Sequence, residues 1–269
     1  MSIDREGASG AAPAPAMDLS GRVVLVTGAS KGIGAAIAGA VGRAGASVIA
    51  AYGADHAGAT AATAGIDPER VLRLAVDLSL PGAGRRLWDQ ALAWKGTIDV
   101  LVCNAAVMIA TPLDGDDGEW DAAWERTLAI NVREPANLMR SAARHFVASG
   151  HGVIVTLSSW SAQRGSGNPD LTAYSASKAA IKAVAQTLAR THAADGLLVY
   201  VIAPGVVRTR MSEISAQRLG GEAAVTAGLA MGEWVPPEEI ASLVVFLASG
   251  TVRHLSGATL DVNGASYIR

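Results

Sequence analysis

The apolar run Val23-Val24-Leu25-Val26 passes directly into Thr27-Gly28-Ala29-Ser30-Lys31-Gly32-Ile33-Gly34 and then into the helix-forming stretch Ala35-Ala36-Ile37-Ala38. A strand, a glycine turn and a helix start in that order leave few folds open. Glycines permit positive φ and let backbone approach a phosphate closely, while a helix start offers free N–H groups and the positive end of its dipole. A diphosphate-bearing dinucleotide is the natural ligand of such a turn.

Downstream, short Val/Ile/Leu-rich runs alternate with Ala-rich stretches of helical length, the pattern of repeated βαβ units with a parallel sheet covered on both faces. The expected strands are Arg22–Thr27, Ser47–Ala51, Val71–Val76, Asp99–Cys103, Gly152–Leu157, Leu197–Ile202 and Thr259–Val262. They predict an α/β protein with one doubly wound domain and a seven-stranded parallel sheet, spanning residues 18–269 behind a mobile N-terminal tail at 1–17. No repeat or linker divides the chain. Half of its 269 residues are apolar, enough for a large core. With 22 Lys and Arg against 24 Asp and Glu, no basic footprint points to nucleic acid or an anionic membrane. The longest apolar window, 35–54, is broken by Arg43 and carries glycines, so no membrane span is expected. The N-terminus lacks the apolar core of a secretory signal, and the single cysteine, Cys103, fits a reducing, cytoplasmic setting. Cys103 reads as a small core residue, and no metal site is expected.

Tyr174 and Lys178 stand at i, i+4 at the start of an Ala-rich helix, which places them on one face. A free tyrosine is a poor base at neutral pH, and a neighbouring ammonium is expected to lower its pKa. Such a pair serves proton transfer between a carbonyl and an alcohol. Upstream, Val153-Ile154-Val155-Thr156-Leu157 ends in Ser158-Ser159-Trp160-Ser161, serines at the carboxyl end of a strand, where open α/β sheets bind ligands.

Taken together, these segments resemble the short-chain dehydrogenase/reductase family over roughly residues 18–265, in the family's order, beginning with the G-x-x-x-G-x-G spacing at Gly28, Gly32 and Gly34. The resemblance implies a single Rossmann domain acting as a nicotinamide-dependent oxidoreductase on a carbonyl or secondary alcohol. A 3-oxoacyl reductase-like activity and a sugar, steroid or secondary-metabolite alcohol dehydrogenase are both open. It makes Tyr174 the acid/base and Lys178 its electrostatic partner, also holding the nicotinamide ribose. Ser159 becomes the carbonyl orienter. Ser159 lies 15 residues before Tyr174, whereas Ser161 shows the family's usual 13, so Ser161 is the alternative. In Trp124–Val132, Asn131 would bind a water beside Lys178 and complete a proton relay.

For the cofactor, the resemblance implies contacts from Gly28, Ser30, Lys31, Gly32, Ile33, Gly34, Tyr52, Asp77, Leu78, Asn104, Ala105, Tyr174, Lys178, Pro204, Gly205, Val207 and Thr209. Asp77 would touch adenine or cap the next segment. The Val207 backbone and the Thr209 hydroxyl would hold the carboxamide. Tyr52 occupies the position where NADH users carry an acid, and Lys31 could pair with a 2′-phosphate; NADPH is therefore the expected cofactor, with NADH left open and Asp55 as the complication. Residues 210–235 read as a substrate lid. Two Ala-rich helices near 120–147 and 174–194 predict a homotetramer. A dinucleotide-binding regulator without turnover, or a methyltransferase, would have no use for Tyr174, Lys178, Ser159 and Asn131 together.

Overall fold

Alternate strand residues face opposite layers, as a period of two requires. In β1 (Val23–Thr27), Val24 and Val26 pack into one core with α1 (Gly32–Arg43) and α10 (Pro237–Ala248), while Val23 and Leu25 pack into the other. That second layer is built by α3 (Ala83–Lys95), α5 (Glu134–Ser149) and α7 (Thr172–His192), through residues such as Leu87, Trp88, Leu138, Phe146 and Ile181. The sheet they cover is completed by β2 (Ser47–Tyr52), β3 (Val71–Ala75), β4 (Val100–Cys103), β5 (Gly152–Leu157), β6 (Leu197–Pro204) and β7 (Thr259–Val262). All pairings are parallel, in the order β3-β2-β1-β4-β5-β6-β7. The structure, a computed structural model, describes residues 17–269. Of the expected tail at 1–17, all but Met17 lies outside the described residues. Among the described residues no helix is long and apolar enough to cross a membrane.

Strand ends shift by one or two residues from expectation. β1 and β4 start one residue late, where the Asp99 carboxylate accepts the Val23 N–H at 2.8 Å and replaces ladder pairing at the lower edge. β2 gains Tyr52, opposite Ala75. β6 runs on to Pro204 because β7 pairs along Val201–Pro204. Tyr200, which has no evident role in the sequence, is buried under the α10 layer and donates its hydroxyl to the Val252 carbonyl at 3.1 Å.

The strand order reverses between β1 and β4, and a doubly wound sheet opens a crevice at that point, outside the carboxyl ends of its strands. The remaining helices are α2 (His56–Ala62), α4 (Asp117–Leu128), α6 (Ser161–Arg164), α8 (Arg210–Gln217) and α9 (Glu222–Ala227).

Candidate active site

The glycine turn is set by packing as well as by φ. Gly28 (φ +69) and Gly32 (φ +53) lie in the left-handed region. A Cβ on Gly34 would sit 2.0 Å from the Gly28 carbonyl oxygen, so the turn closes on itself. Asn104 clamps it: its Nδ2 donates to the carbonyls of Thr27 at 2.9 Å and Gly28 at 3.3 Å. The Thr27 hydroxyl in turn accepts the N–H groups of Asn104 and Ala105. The amide of Asn104 is therefore committed to the loop, leaving any cofactor contact there to the backbone. At the start of α1, Lys31 makes no capping hydrogen bond and the first turn has no acid. This uncapped positive end at the crevice fits the diphosphate of a dinucleotide.

At the end of β2 the Tyr52 hydroxyl hydrogen-bonds His56 Nδ1 at 2.8 Å. Asp55 accepts the Gly58 N–H at 2.8 Å and so caps α2 instead of reaching toward the loop. A Cβ on Gly58 would meet the Ser30 carbonyl oxygen at 2.4 Å, so α2 packs directly on the turn that carries Lys31. Asp77 accepts both the N–H and the hydroxyl of Ser79, the capping alternative of its two readings; these bonds hold its pKa below the usual carboxylate value, and Leu78 beside it is buried.

Across the crevice, β5 delivers the serines and α7 the tyrosine and lysine. Two contacts lock them together: the Ser158 hydroxyl donates to the Lys178 carbonyl at 2.9 Å, and Lys178 Nζ donates to the Leu157 carbonyl at 2.8 Å. Nζ stands 5.7 Å from the Tyr174 ring centroid. Ser159 Oγ accepts from Ser161 Oγ at 3.0 Å and Ser161 N at 3.2 Å, and Ser159 lies near enough to the Tyr174 phenol to draw its pKa down. The two serines form one chain, with Ser159 next to the phenol.

The expected effect of the ammonium on the phenol is overturned. Burial pushes Tyr174 up to about 12, against a smaller lowering by nearby Ser159. Burial likewise pulls Lys178 down to about 8. Desolvation is the largest influence on each group, so Tyr174 stands as a neutral phenol. Cys103, buried at the end of β4, is pushed up to about 12 by the same burial and is no nucleophile at neutral pH.

Asn131 sits in a π-helical turn, Ala129–Arg133, between α4 and α5 and not in an ordinary mid-helix position. Its Oδ1 accepts the Val107 N–H at 2.8 Å, and its Nδ2 donates to the Val107 carbonyl at 2.9 Å and to Ser177 Oγ at 3.0 Å. Both side-chain N–H donors are thus taken by protein. Through them Asn131 anchors Ser177, whose hydroxyl donates to the Tyr174 carbonyl at 2.7 Å. Ser177 and the π turn escaped the sequence reading, since a serine in an Ala-rich helix carries no signal of its own.

The turn after β6 places Pro204 and Gly205 against β7, where Gly205 N–H donates to the Val262 carbonyl at 2.9 Å. Val206 and Arg208 both bond Val235, which turns the N–H and C=O of buried Val207 the opposite way. Thr209 Oγ1 accepts the Ser212 N–H at 3.3 Å and caps α8, while its methyl lies against Gly32 of the turn. Trp234 is buried, with Nε1 donating to Thr226 at 2.9 Å; it anchors the 210–235 segment and does not line a pocket.

A doubly wound parallel sheet with a phosphate-binding turn at its switch point and a serine–tyrosine–lysine group facing it defines a nicotinamide-dependent oxidoreductase. The model of the enoyl-(acyl carrier protein) reductase family matches residues 28–265. The cis-4-hydroxycyclohexanecarboxylate dehydrogenase of Sinomonas cyclohexanicum is 35% identical over 90% of this chain and 95% of its own. The 3beta-hydroxysteroid dehydrogenase 1 of Eggerthella lenta is 33% identical over 92% and 94%. The crystal structure of a 3-oxoacyl (acyl-carrier-protein) reductase from Agrobacterium tumefaciens C58 with NADP bound superposes with a TM-score of 0.82, at 34% identity over 93% and 95%. The chain belongs to the short-chain dehydrogenase/reductase family and moves hydride between a nicotinamide cofactor and a carbonyl or alcohol.

Proposed function

We propose that this chain is a carbonyl reductase in which Tyr174 donates the proton, Ser159 orients the carbonyl, and Lys178 supplies the nearby positive charge. The observation that carries this reading is the convergence of Ser159 and Lys178 on the neutral Tyr174 phenol, with Lys178 Nζ held by the Leu157 carbonyl at 2.8 Å and 5.7 Å from the ring. The bound reduced nicotinamide supplies the hydride. The phenol gives its proton to the carbonyl oxygen as negative charge develops there, and the Ser159 hydroxyl donates to the same oxygen. Lys178, held by the Leu157 carbonyl, stabilises the phenolate that remains. Asn131 acts through Ser177 to fix the first turn of α7, as a positioning residue.

NADPH is the preferred cofactor in this reading. Support comes from Tyr52 in place of an acid, from Lys31 exposed at the start of α1, from Asp55 turned to its own helix, and from the NADP held by the Agrobacterium relative. Contacts to it are assigned to the turn residues Gly28 to Gly34, to Leu78 and Ala105, to Pro204, Gly205 and the Val207 backbone, and to Tyr174 and Lys178. The segment 210–235 acts as the substrate lid of one catalytic domain, and the protein works as a cytoplasmic homotetramer. The test is a panel of ketones and secondary alcohols offered to purified protein while the absorbance of the reduced nicotinamide is followed. Turnover of a ketone with NADPH supports the reading; binding of NADPH without turnover of any member sinks it.

A further inference from the structure

Arg164 ends the single turn of α6, and its guanidinium is held between two rings, 4.9 Å from the Trp160 centroid and 5.7 Å from that of Tyr267. Stacking of this kind fixes the plane of the fork while leaving its edge N–H groups to bond elsewhere. Those groups have no acid among the described residues: in the flanking segments Asp170 is paired with Arg218 at 2.6 Å and Asp261 with Arg269 at 2.7 Å. The same helix carries a second donor without an acceptor, Gln163 Nε2, whose own Oε1 is taken by Lys182.

The placement of this cation ties it to the reaction site. Ser161 and Arg164 stand at i, i+3 and so share a face of α6, and Ser161 is the residue whose hydroxyl reaches Ser159 Oγ at 3.0 Å. Trp160 directly follows Ser159, and its N–H donates to the Pro204 carbonyl at 3.0 Å. A Cβ at Gly205 would lie 3.4 Å from the Trp160 ring. The stack is thereby braced on the turn assigned to the cofactor, on the same helical turn that carries Ser161.

We infer that Arg164 binds a carboxylate of the substrate, so that the carbonyl compound reduced here is an oxo acid. This rests on the carbonyl-reductase reading above and narrows its substrate class. A planar guanidinium takes a carboxylate through two parallel N–H···O bonds, which a lysine in the same place does not reproduce.

The test compares 4-oxocyclohexanecarboxylate with its methyl ester, using NADPH and the full chain. Wild type should favour the acid in kcat/KM by tenfold or more. Arg164→Gln should lower kcat/KM for the acid by ten- to hundredfold, mostly through KM, leave the ester within twofold, and leave the NADPH KM unchanged; Arg164→Lys should fall between. Equal losses on acid and ester would show that Arg164 only braces Trp160, and would overturn the inference. So would no loss on either probe, or a wild type that prefers the ester or reduces neither. Tyr174→Phe should abolish reduction of both probes alike; if it does not, the proton-donor assignment fails independently of Arg164.

Discussion

The hydroxyl of Ser161 donates to the hydroxyl of Ser159 at 3.0 Å, and Ser159 is the one whose hydroxyl influences the Tyr174 phenol. The 15-residue spacing to Tyr174 is thus absorbed by α6 and the turn at Pro169–Leu171 that follows it. Ser159→Ala should cut turnover about a hundredfold, the scale of a lost positioned donor. Ser161→Ala removes only a bond that orients Ser159 and should cost about three- to tenfold. Steady-state kcat for the two variants gives the ranking, and the reverse order would move the carbonyl-orienting role to Ser161.

The shifted pKa values set the pH response. Tyr174, at about 12, keeps its proton throughout the neutral range, whereas Lys178 loses its charge as pH rises through about 8. Reductive kcat should be flat below about pH 7 and fall at most tenfold per pH unit above 8. The sign for stability is opposite. Lys178 has an ordinary value of 10.5 and about 8 when folded, so between these values the unfolded chain binds more protons and stability rises with pH. Lys178→Met should therefore stabilise the fold at pH 7, by up to about 3 kcal/mol, while destroying turnover. Urea unfolding of both proteins at pH 7 checks this, and a destabilised Lys178→Met would contradict it.

Cofactor choice is read from Lys31 and Asp55. Lys31→Ala should lower kcat/KM for NADPH about tenfold and leave NADH within twofold, because a 2′-phosphate is the group an ammonium there would meet. Asp55→Ala loses the cap on Gly58 and should weaken α2 by about 1 kcal/mol without reversing the preference. Equal effects of Lys31→Ala on both cofactors, or a wild type that prefers NADH, would refute the assignment.

The two Ala-rich stretches near 120–147 and 174–194 give a prediction about assembly. Light scattering at micromolar concentration should return about four times the 27.3 kDa chain mass. A strictly monomeric mass would contradict the homotetramer.

The layout of strands was legible because runs such as Val23–Val26 and Val153–Val155 are apolar at every position, which only a sheet covered on both faces requires. The catalytic group was legible because Tyr174 and Lys178 lie one helical turn apart and Ser159 closes a strand. What stayed hidden depends on contacts distant in the chain. Asn104 clamps a loop 76 residues upstream, and Asn131 bonds Ser177 46 residues downstream. Neither distance leaves a trace in local pattern. The raised phenol of Tyr174 was missed for a related reason: spacing reveals which charge is near, while desolvation depends on everything packed around both groups.

The most direct test of the account is Tyr174→Phe, which removes one oxygen atom and leaves the ring beside Lys178 in place. NADPH affinity, measured by fluorescence titration, should stay within about twofold, while turnover of a ketone falls a hundredfold or more. Wild-type turnover in this variant would contradict proton donation by Tyr174 and with it the mechanism.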